Sequence, residues 1–290
     1  MTRIIERQGF SGPLASQLAS DADGTRLFWL GQAGFVIMAD GRTLLIDPYL
    51  SDSLAEKYRG KTFDHSRMMS APISPSGFTR IDLVLITHVH TDHMDPATLQ
   101  PIAAAFPDCR FVIPRAVQAE ARQRIGCGPE RLLTIDAGDV LQVATNLSIT
   151  AFAAAHETLQ RDAGGAHHFL GYGIETPEGR IYHSGDSVPF DGLAEGVRHF
   201  GPSVTLLPVN GRQQALTAAG IAGNFTLEEA ITLSRISGAR TMIAHHYGMF
   251  AFNTLPADEI DAVAASGGAE LEILRASTGI AYKLRIEDQP

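Results

Sequence analysis

Within Thr87-His88-Val89-His90-Thr91-Asp92-His93, three imidazoles and a carboxylate fall inside six consecutive residues. His88 and His90 are two apart, so in extended backbone both rings point to the same side and can share one metal ion. Asp92 and His93 follow where the chain turns, which can aim them at a second ion beside the first. A lone histidine in a polar turn is more often a solvated surface residue. Four donors packed this closely behind an apolar run argue for metal chemistry instead.

Such a cluster needs elements to hold it. Ile81-Asp82-Leu83-Val84-Leu85-Ile86 reads as a buried strand, and Asp95-Pro96 reads as an N-cap and first-turn proline that predict a helix over 96–105. Other donors follow predicted strands in the same way. His156 comes just after the alternating run 147–152, Asp186 follows 180–183 in Ser184-Gly185-Asp186-Ser187, and His245-His246 follows 241–244. Asp47 closes the second strand of a hairpin whose Asp40-Gly41 turn is flanked by 35–38 and 43–46. Asp47 either supports a nearby ligand or does turn chemistry before Pro48. Strand ends that gather imidazoles and carboxylates from distant segments are how a metalloenzyme site is assembled.

The remaining pattern fits an α/β protein. A strand is expected at 26–31, helices at 51–59, 114–125, 226–237 and 256–265, and strands at 111–113, 169–175, 204–208, 270–274 and 279–285. Thr226 and Glu229 have the spacing of a capping box. The long polar segment 60–79 suits a lid or an interface, and 158–167 reads as a Gly-containing polar loop.

With 290 residues, 44% hydrophobic and 19% charged, the chain is expected to form a single soluble domain spanning 1–290. The net charge of −9 argues against a nucleic-acid partner. No apolar run approaches the ~20 residues of a membrane span, and the N-terminus lacks a signal-peptide core, so a cytoplasmic location is expected. Cys109 and Cys127 form no disulfide framework or zinc motif. The expected partner is a small-molecule substrate. Homo-oligomerisation is compatible with this composition.

Thr-His-x-His-x-Asp-His, then a strand-end His, then Gly-Asp-Ser, then Ala-His-His-Tyr, is similar in motif order to the metallo-β-lactamase superfamily of hydrolases. Trp29-Leu30-Gly31-Gln32-Ala33-Gly34-Phe35, Asp47-Pro48-Tyr49-Leu50 and His246-Tyr247-x-Met249-Phe250 further resemble its L-ascorbate-6-phosphate lactonase branch. The resemblance implies a four-layer αββα sandwich with two divalent metal ions at one edge of the sheets. It implies His88, His90 and His156 as ligands of one ion, Asp92, His93 and His246 as ligands of the other, and Asp186 as the bridge. His246 is preferred because it precedes the tyrosine and adjacent side chains point apart, which leaves His245 a supporting or core role.

Imidazole and carboxylate donors without thiolate suit zinc or manganese, and iron also fits. The implied activity is hydrolysis of a small anionic lactone or phosphoester by water activated at the metal pair, with Asp92 and Asp186 as candidate catalytic residues. A phosphodiesterase, a di-iron redox protein and a non-catalytic metal-binding protein are the alternatives. Redox relatives usually carry Glu where this chain has His90. For substrate contacts, Asn210 and Arg212 in one loop, and Arg161, His167 and His168 in another, are the candidates to meet an anionic group. Solvated loop charge is the alternative reading, strongest for Arg161.

Overall fold

The computed structural model describes residues 4–20, 23–266, 268 and 270–285. Met1–Arg3, part of the N-terminal stretch considered above, lie outside them. The strands are β1 (Ile5–Gly9), β2 (Arg26–Gly31), β3 (Gly34–Ala39), β4 (Arg42–Ile46), β5 (Leu83–Leu85), β6 (Arg110–Pro114), β7 (Leu132–Ile135), β8 (Val140–Ala144), β9 (Leu147–Ala153), β10 (Leu170–Thr176), β11 (Gly179–His183), β12 (Val204–Pro208), β13 (Thr241–His245), β14 (Glu272–Arg275) and β15 (Ile280–Leu284). The helices are α1 (Leu14–Leu18), α2 (Ser53–Lys57), α3 (Pro96–Ala105), α4 (Gln118–Ile125), α5 (Leu193–Phe200), α6 (Gln214–Ala218), α7 (Leu227–Ile236) and α8 (Ala257–Ala265).

Two sheets stack with helices outside them. One has the order β1-β15-β2-β3-β4-β5-β6-β7 and the other β14-β13-β12-β11-β10-β9-β8. The strand pleat sorts residues between the layers. Along β2, Leu27 and Trp29 enter the core between the sheets, while Phe28 and Leu30 join a second core with Leu14, Leu99, Ile102 and Ile125 of the outer helices. β4 and β5 repeat the pattern, with Leu44, Ile46, Leu83 and Leu85 inward and Leu45 and Val84 outward. Ile149, Tyr172, Ile181, Leu206 and Ile243 answer from the second sheet, and Val197, Ile231 and Ile260 bring its helices into the same core. The layering is therefore αββα. No helix among the described residues is long and apolar enough to cross a membrane.

Strand direction is what concentrates the chemistry. β4, β5, β6 and β7 run parallel, as do β11, β12, β13 and β14. β9 and β11 are both antiparallel to β10, so they share a direction as well. The segments that leave the C-terminal ends of β4, β5, β9, β11, β12 and β13 then deliver Asp47, His88, His156, Asp186, Asn210 and His246. This is where α/β sheets put their ligand sites.

Two local expectations differ from the structure. Pro114 does not open a helix: it ends β6 in extended backbone (φ −58°, ψ 135°), pairs in register with Ile135, and α4 starts only at Gln118 after a 3₁₀ turn. The helix expected over 51–59 contracts to α2. The helix over 96–105 and the capping box of α7 form as the sequence dictates, with Asp95 and Thr226 as side-chain caps.

Candidate metal centre

Asp186 reaches its position through Gly185, whose left-handed backbone (φ 61°) carries the chain past β10. A Cβ there would stand 2.5 Å from the Leu170 carbonyl oxygen. Asp186 Oδ2 then lies 3.3 Å from His93 Nε2, 3.3 Å from His246 Nε2 and 3.7 Å from His156 Nε2. Three overlapping triplets result, each with its ligand atoms within 4.8 Å of one another: His88, His90 and His156; Asp92, His93 and His246; and His88, His93 and Asp186. All seven sequence-picked donors are brought together. His88 and His93 each belong to two triplets, and Asp186 stands in the one that links the other two.

Asp47 shows what orients the imidazoles. Its Oδ2 lies 2.7 Å from His93 Nδ1 and accepts a hydrogen bond from Thr87 Oγ1 at 2.6 Å, while Oδ1 accepts from the Thr87 backbone N–H at 2.8 Å. Since Thr87 gives its one hydroxyl proton to Asp47, its oxygen accepts from His88 Nδ1, 2.9 Å away. One buried carboxylate thereby sets two tautomers. Both histidines are left with Nε2 facing the cluster, as in the carboxylate–histidine pairs behind metal ligands. Of the two readings of Asp47, support of a candidate ligand is the one that its contacts with His93 and Thr87 match.

The electrostatics follow from burial and charge. Burial holds the His88 imidazole well below its ordinary pKa and the His156 imidazole at about 4, which keeps both in the neutral, ligating form. Burial also opposes charge on His93, but Asp186, Asp47 and Asp92 outweigh it and raise its pKa well above the usual value. At Asp186 burial favours the neutral acid, yet His246 and His93 override it and hold the carboxyl well below the usual range.

His88 Nε2, His93 Nε2, His156 Nδ1, His246 Nδ1 and Asp186 Oδ1 are buried without a hydrogen-bond partner among the described residues. An unsatisfied buried polar atom costs about 1–3 kcal/mol, and cations in the cluster would relieve His88 Nε2, His93 Nε2 and Asp186 Oδ1, whereas His156 and His246 turn Nε2 toward Asp186. The donor set fits divalent metal ions. Backbone strain gathers here too. Gln32 (φ 51°), Asp47 (φ 41°), Glu157 (φ 72°) and His246 (φ 60°) are left-handed, a conformation that costs side-chain-bearing residues about 1 kcal/mol or more and collects at functional sites.

Gln32 is a site residue named from sequence only within the motif Trp29–Phe35, with no role of its own. Its Nε2 donates to Asp92 Oδ2 at 2.8 Å and lies 3.1 Å from His246 Nε2, while its carbonyl accepts from Trp29 Nε1 and from the His246 backbone N–H. Its left-handed backbone between β2 and β3 is visible only in the structure. His245 turns away, as expected, and stacks on His183 at 4.9 Å in the core.

The cluster opens into a cavity of about 260 Å³, lined by His90, Asp92, His156, Asp186 and His246. The expected substrate contacts do not line it. Arg212 pairs with Glu229 and donates to the Asn224 carbonyl, so its charge is committed to the cap of α7. Arg161 donates to His167 Nε2, whose Nδ1 faces Asp136, and the His168 backbone N–H closes the same loop onto Gln160. Asn210 touches Asn253, which does line the cavity. The basic side chains on the lining are Lys57 and Arg124, and segment 60–79 contributes His65. Arg212→Ala is therefore expected to leave KM for an anionic substrate unchanged and to lower stability by about 0.5–1 kcal/mol. Kinetics and thermal melts on the variant check both.

The comparisons agree with this architecture. A protein of Rubrobacter xylanophilus described as a metal-dependent hydrolase is 28% identical over 262 residues, covering 86% of this chain and 93% of that protein. The crystal structure of a possible metal-dependent hydrolase from Veillonella parvula superposes with a TM-score of 0.72 at 16% identity, covering 91% of this chain and 100% of the other. Isothiocyanate hydrolase from Delia radicum gut bacteria superposes with a TM-score of 0.70 at 20% identity, covering 88% and 97%. These structural likenesses speak for the fold. The family profile described as Beta-lactamase superfamily domain matches residues 42–247, from β4 through Tyr247, and so takes in every donor of the cluster; the chain belongs to that superfamily.

Proposed function

We propose that the protein is a metal-dependent hydrolase that cleaves a small anionic lactone or phosphoester, similar in kind to the substrate of the L-ascorbate-6-phosphate lactonases. The observation that carries this reading is the gathering of seven donors into three linked triplets, with His88 Nε2 and His93 Nε2 buried and unpartnered. His88, His90 and His156 would hold one ion, Asp92, His93 and His246 the other, with Asp186 shared. Divalent cations in such a site supply Lewis acidity, polarising the substrate's electrophile and making hydroxide available near neutral pH. Curated relatives described as metal-dependent hydrolases support the reading.

The chain's own groups do the rest. Asp47 and Thr87 keep the Nδ1 positions of His93 and His88 occupied, so that neither ring can rotate its Nε2 away. Gln32 restrains Asp92. Phe169 packs against His88, His90 and His156 with ring centroids 5.2, 6.1 and 5.5 Å away, closing one side of that triplet while His90 stays exposed to the cavity. A cavity of about 260 Å³ falls near the lower end of the ~300–1,000 Å³ usual for ligand pockets and suits a small substrate.

Lys57 is the cation positioned to receive the anionic group. Arg124 is already paired with Glu120 and bonded to the Val89 carbonyl, whereas Lys57 has no ion-pair partner among the described residues. Lys57→Ala is expected to raise KM for a phosphorylated substrate about three- to tenfold, the scale of a charged contact at a partly exposed site, with little change for a neutral ester. Equal effects on both substrates would remove Lys57 from this role.

The reading is tested by metal analysis of the purified protein together with turnover of lactones, phosphodiesters and sugar phosphates, before chelation and after adding back zinc or manganese. Two ions per chain and chelator-sensitive hydrolysis are expected. Metal uptake without turnover of any of these substrates would reduce the site to a binding centre.

A further inference from the structure

The cavity has a second wall that none of the cluster residues builds. His65, from segment 60–79, stacks on Tyr58 with ring centroids 4.1 Å apart and planes 20° apart, and meets Phe252 at 4.7 Å and Phe250 at 5.0 Å. Phe250 and Phe252 lie parallel to each other at 6.0 Å. All four side chains line the cavity. The rotation of the His65 ring is set as well. Nδ1 lies 2.9 Å from the Phe63 carbonyl oxygen, which can only accept, so Nδ1 carries a hydrogen and donates.

In the neutral ring this leaves a lone pair on Nε2. That atom has no hydrogen-bond partner among the described residues, and it is not one of the fully buried polar atoms. Stacking and the Nδ1–H bond to Phe63 fix the ring, and they leave Nε2 as a polar atom that neither of them uses. What distinguishes His65 is an acceptor held at a fixed angle in an aromatic wall, in the same small cavity as Asp92, Asp186 and His246.

We infer that His65 is a substrate-positioning residue. Its Nε2 accepts a hydrogen bond from a hydroxyl or N–H on the non-reacting part of the substrate, while Tyr58, Phe250 and Phe252 pack on that part's flat or apolar face. The substrate class is thereby narrowed to small molecules with a planar or apolar body and a hydrogen-bond donor, attached to the group that reacts at the cluster. This rests on the hydrolase reading for where the reacting group sits, and on the cavity wall for the rest.

The test is calorimetric titration of the metal-loaded protein with benzoate and with 3- and 4-hydroxybenzoate, alongside kinetics on phenyl acetate and the corresponding hydroxyphenyl acetates. The wild-type protein is expected to bind the better hydroxybenzoate about tenfold more tightly than benzoate, the scale of one hydrogen bond. H65F should abolish that preference, so that the hydroxybenzoates and benzoate bind alike. H65Q, whose amide oxygen can accept near the position of Nε2, should restore it, an outcome that a purely structural role would not produce. A preference that persists in H65F, or its absence from the wild type, overturns the inference. If the preference is present and depends on His65 while none of the lactones, phosphodiesters, sugar phosphates and phenyl esters is turned over, the hydrolase reading fails and the positioning role stands. If esters are turned over and H65F matches the wild type throughout, the reverse holds.

Discussion

Asp186→Asn is expected to lower kcat/KM by at least about 100-fold and to reduce the number of bound divalent ions, with the melting temperature shifted by only a few degrees. Perturbing groups behind a metal ligand already costs 10–100-fold, and Asp186 is the carboxylate whose Oδ2 lies within 3.7 Å of His93, His156 and His246 at once. Asparagine keeps the shape, removes the charge, and turns a donor toward rings that need an acceptor. The fold tolerates this because His93 keeps its 2.7 Å contact with Asp47, so its charge is not left unpaired. Metal analysis beside steady-state kinetics reads both halves of the expectation. Near-normal turnover with both ions retained would disprove the shared-ligand role of Asp186.

The second large effect is a pH dependence of stability that changes shape with metal. In the chelated protein, His88, His156, His183 and His245 are held neutral by burial, with His156 at about 4. The unfolded chain binds protons at these positions near pH 6.5 and the folded chain does not, so stability falls as pH drops below about 6.5. For His156 alone, a shift of about 2.5 pH units corresponds to roughly 3 kcal/mol by pH 4. His93 has the opposite sign. Its folded pKa is raised by Asp186, Asp47 and Asp92, so its contribution is complete below about 6.5 and disappears as pH rises through the folded value. Chelated protein should therefore be most stable near neutrality and weaken on both flanks. Metal-loaded protein should keep the acid flank, because ligation needs neutral imidazole, and lose the alkaline one, because a cation takes the place of the His93 proton. Thermal melts from pH 4.5 to 9, with chelator and with excess metal, measure this. Superimposable curves would refute it.

The donors were legible in the sequence for a local reason. His88, His90, Asp92 and His93 sit in one turn between a buried strand and a capped helix, and apolar runs announce the strand ends that carry His156, Asp186 and His246. Parallel strand direction then makes convergence nearly unavoidable. Asp47 could be read two ways until the 2.7 Å contact with His93 was seen. Arg212 shows the opposite case. Its position after β12 looked suited to an anion, yet Glu229, recognisable beforehand as the capping-box partner of Thr226, claims it across the loop. Lys57 and His65 carried no local mark, because a cavity wall has no periodicity.

The amino-acid sequence by itself determined the kind of chemistry and the layered α/β plan. Ligand atoms are covalent properties of residue types, and strands and helices follow from short-range patterns of apolar spacing and capping. Only the tertiary structure decided which imidazole nitrogens face the cluster, which cations are already neutralised, and which aromatic rings close the cavity. Those depend on contacts between segments such as 57–65 and 246–253, nearly two hundred residues apart, which exist only once the two sheets have packed.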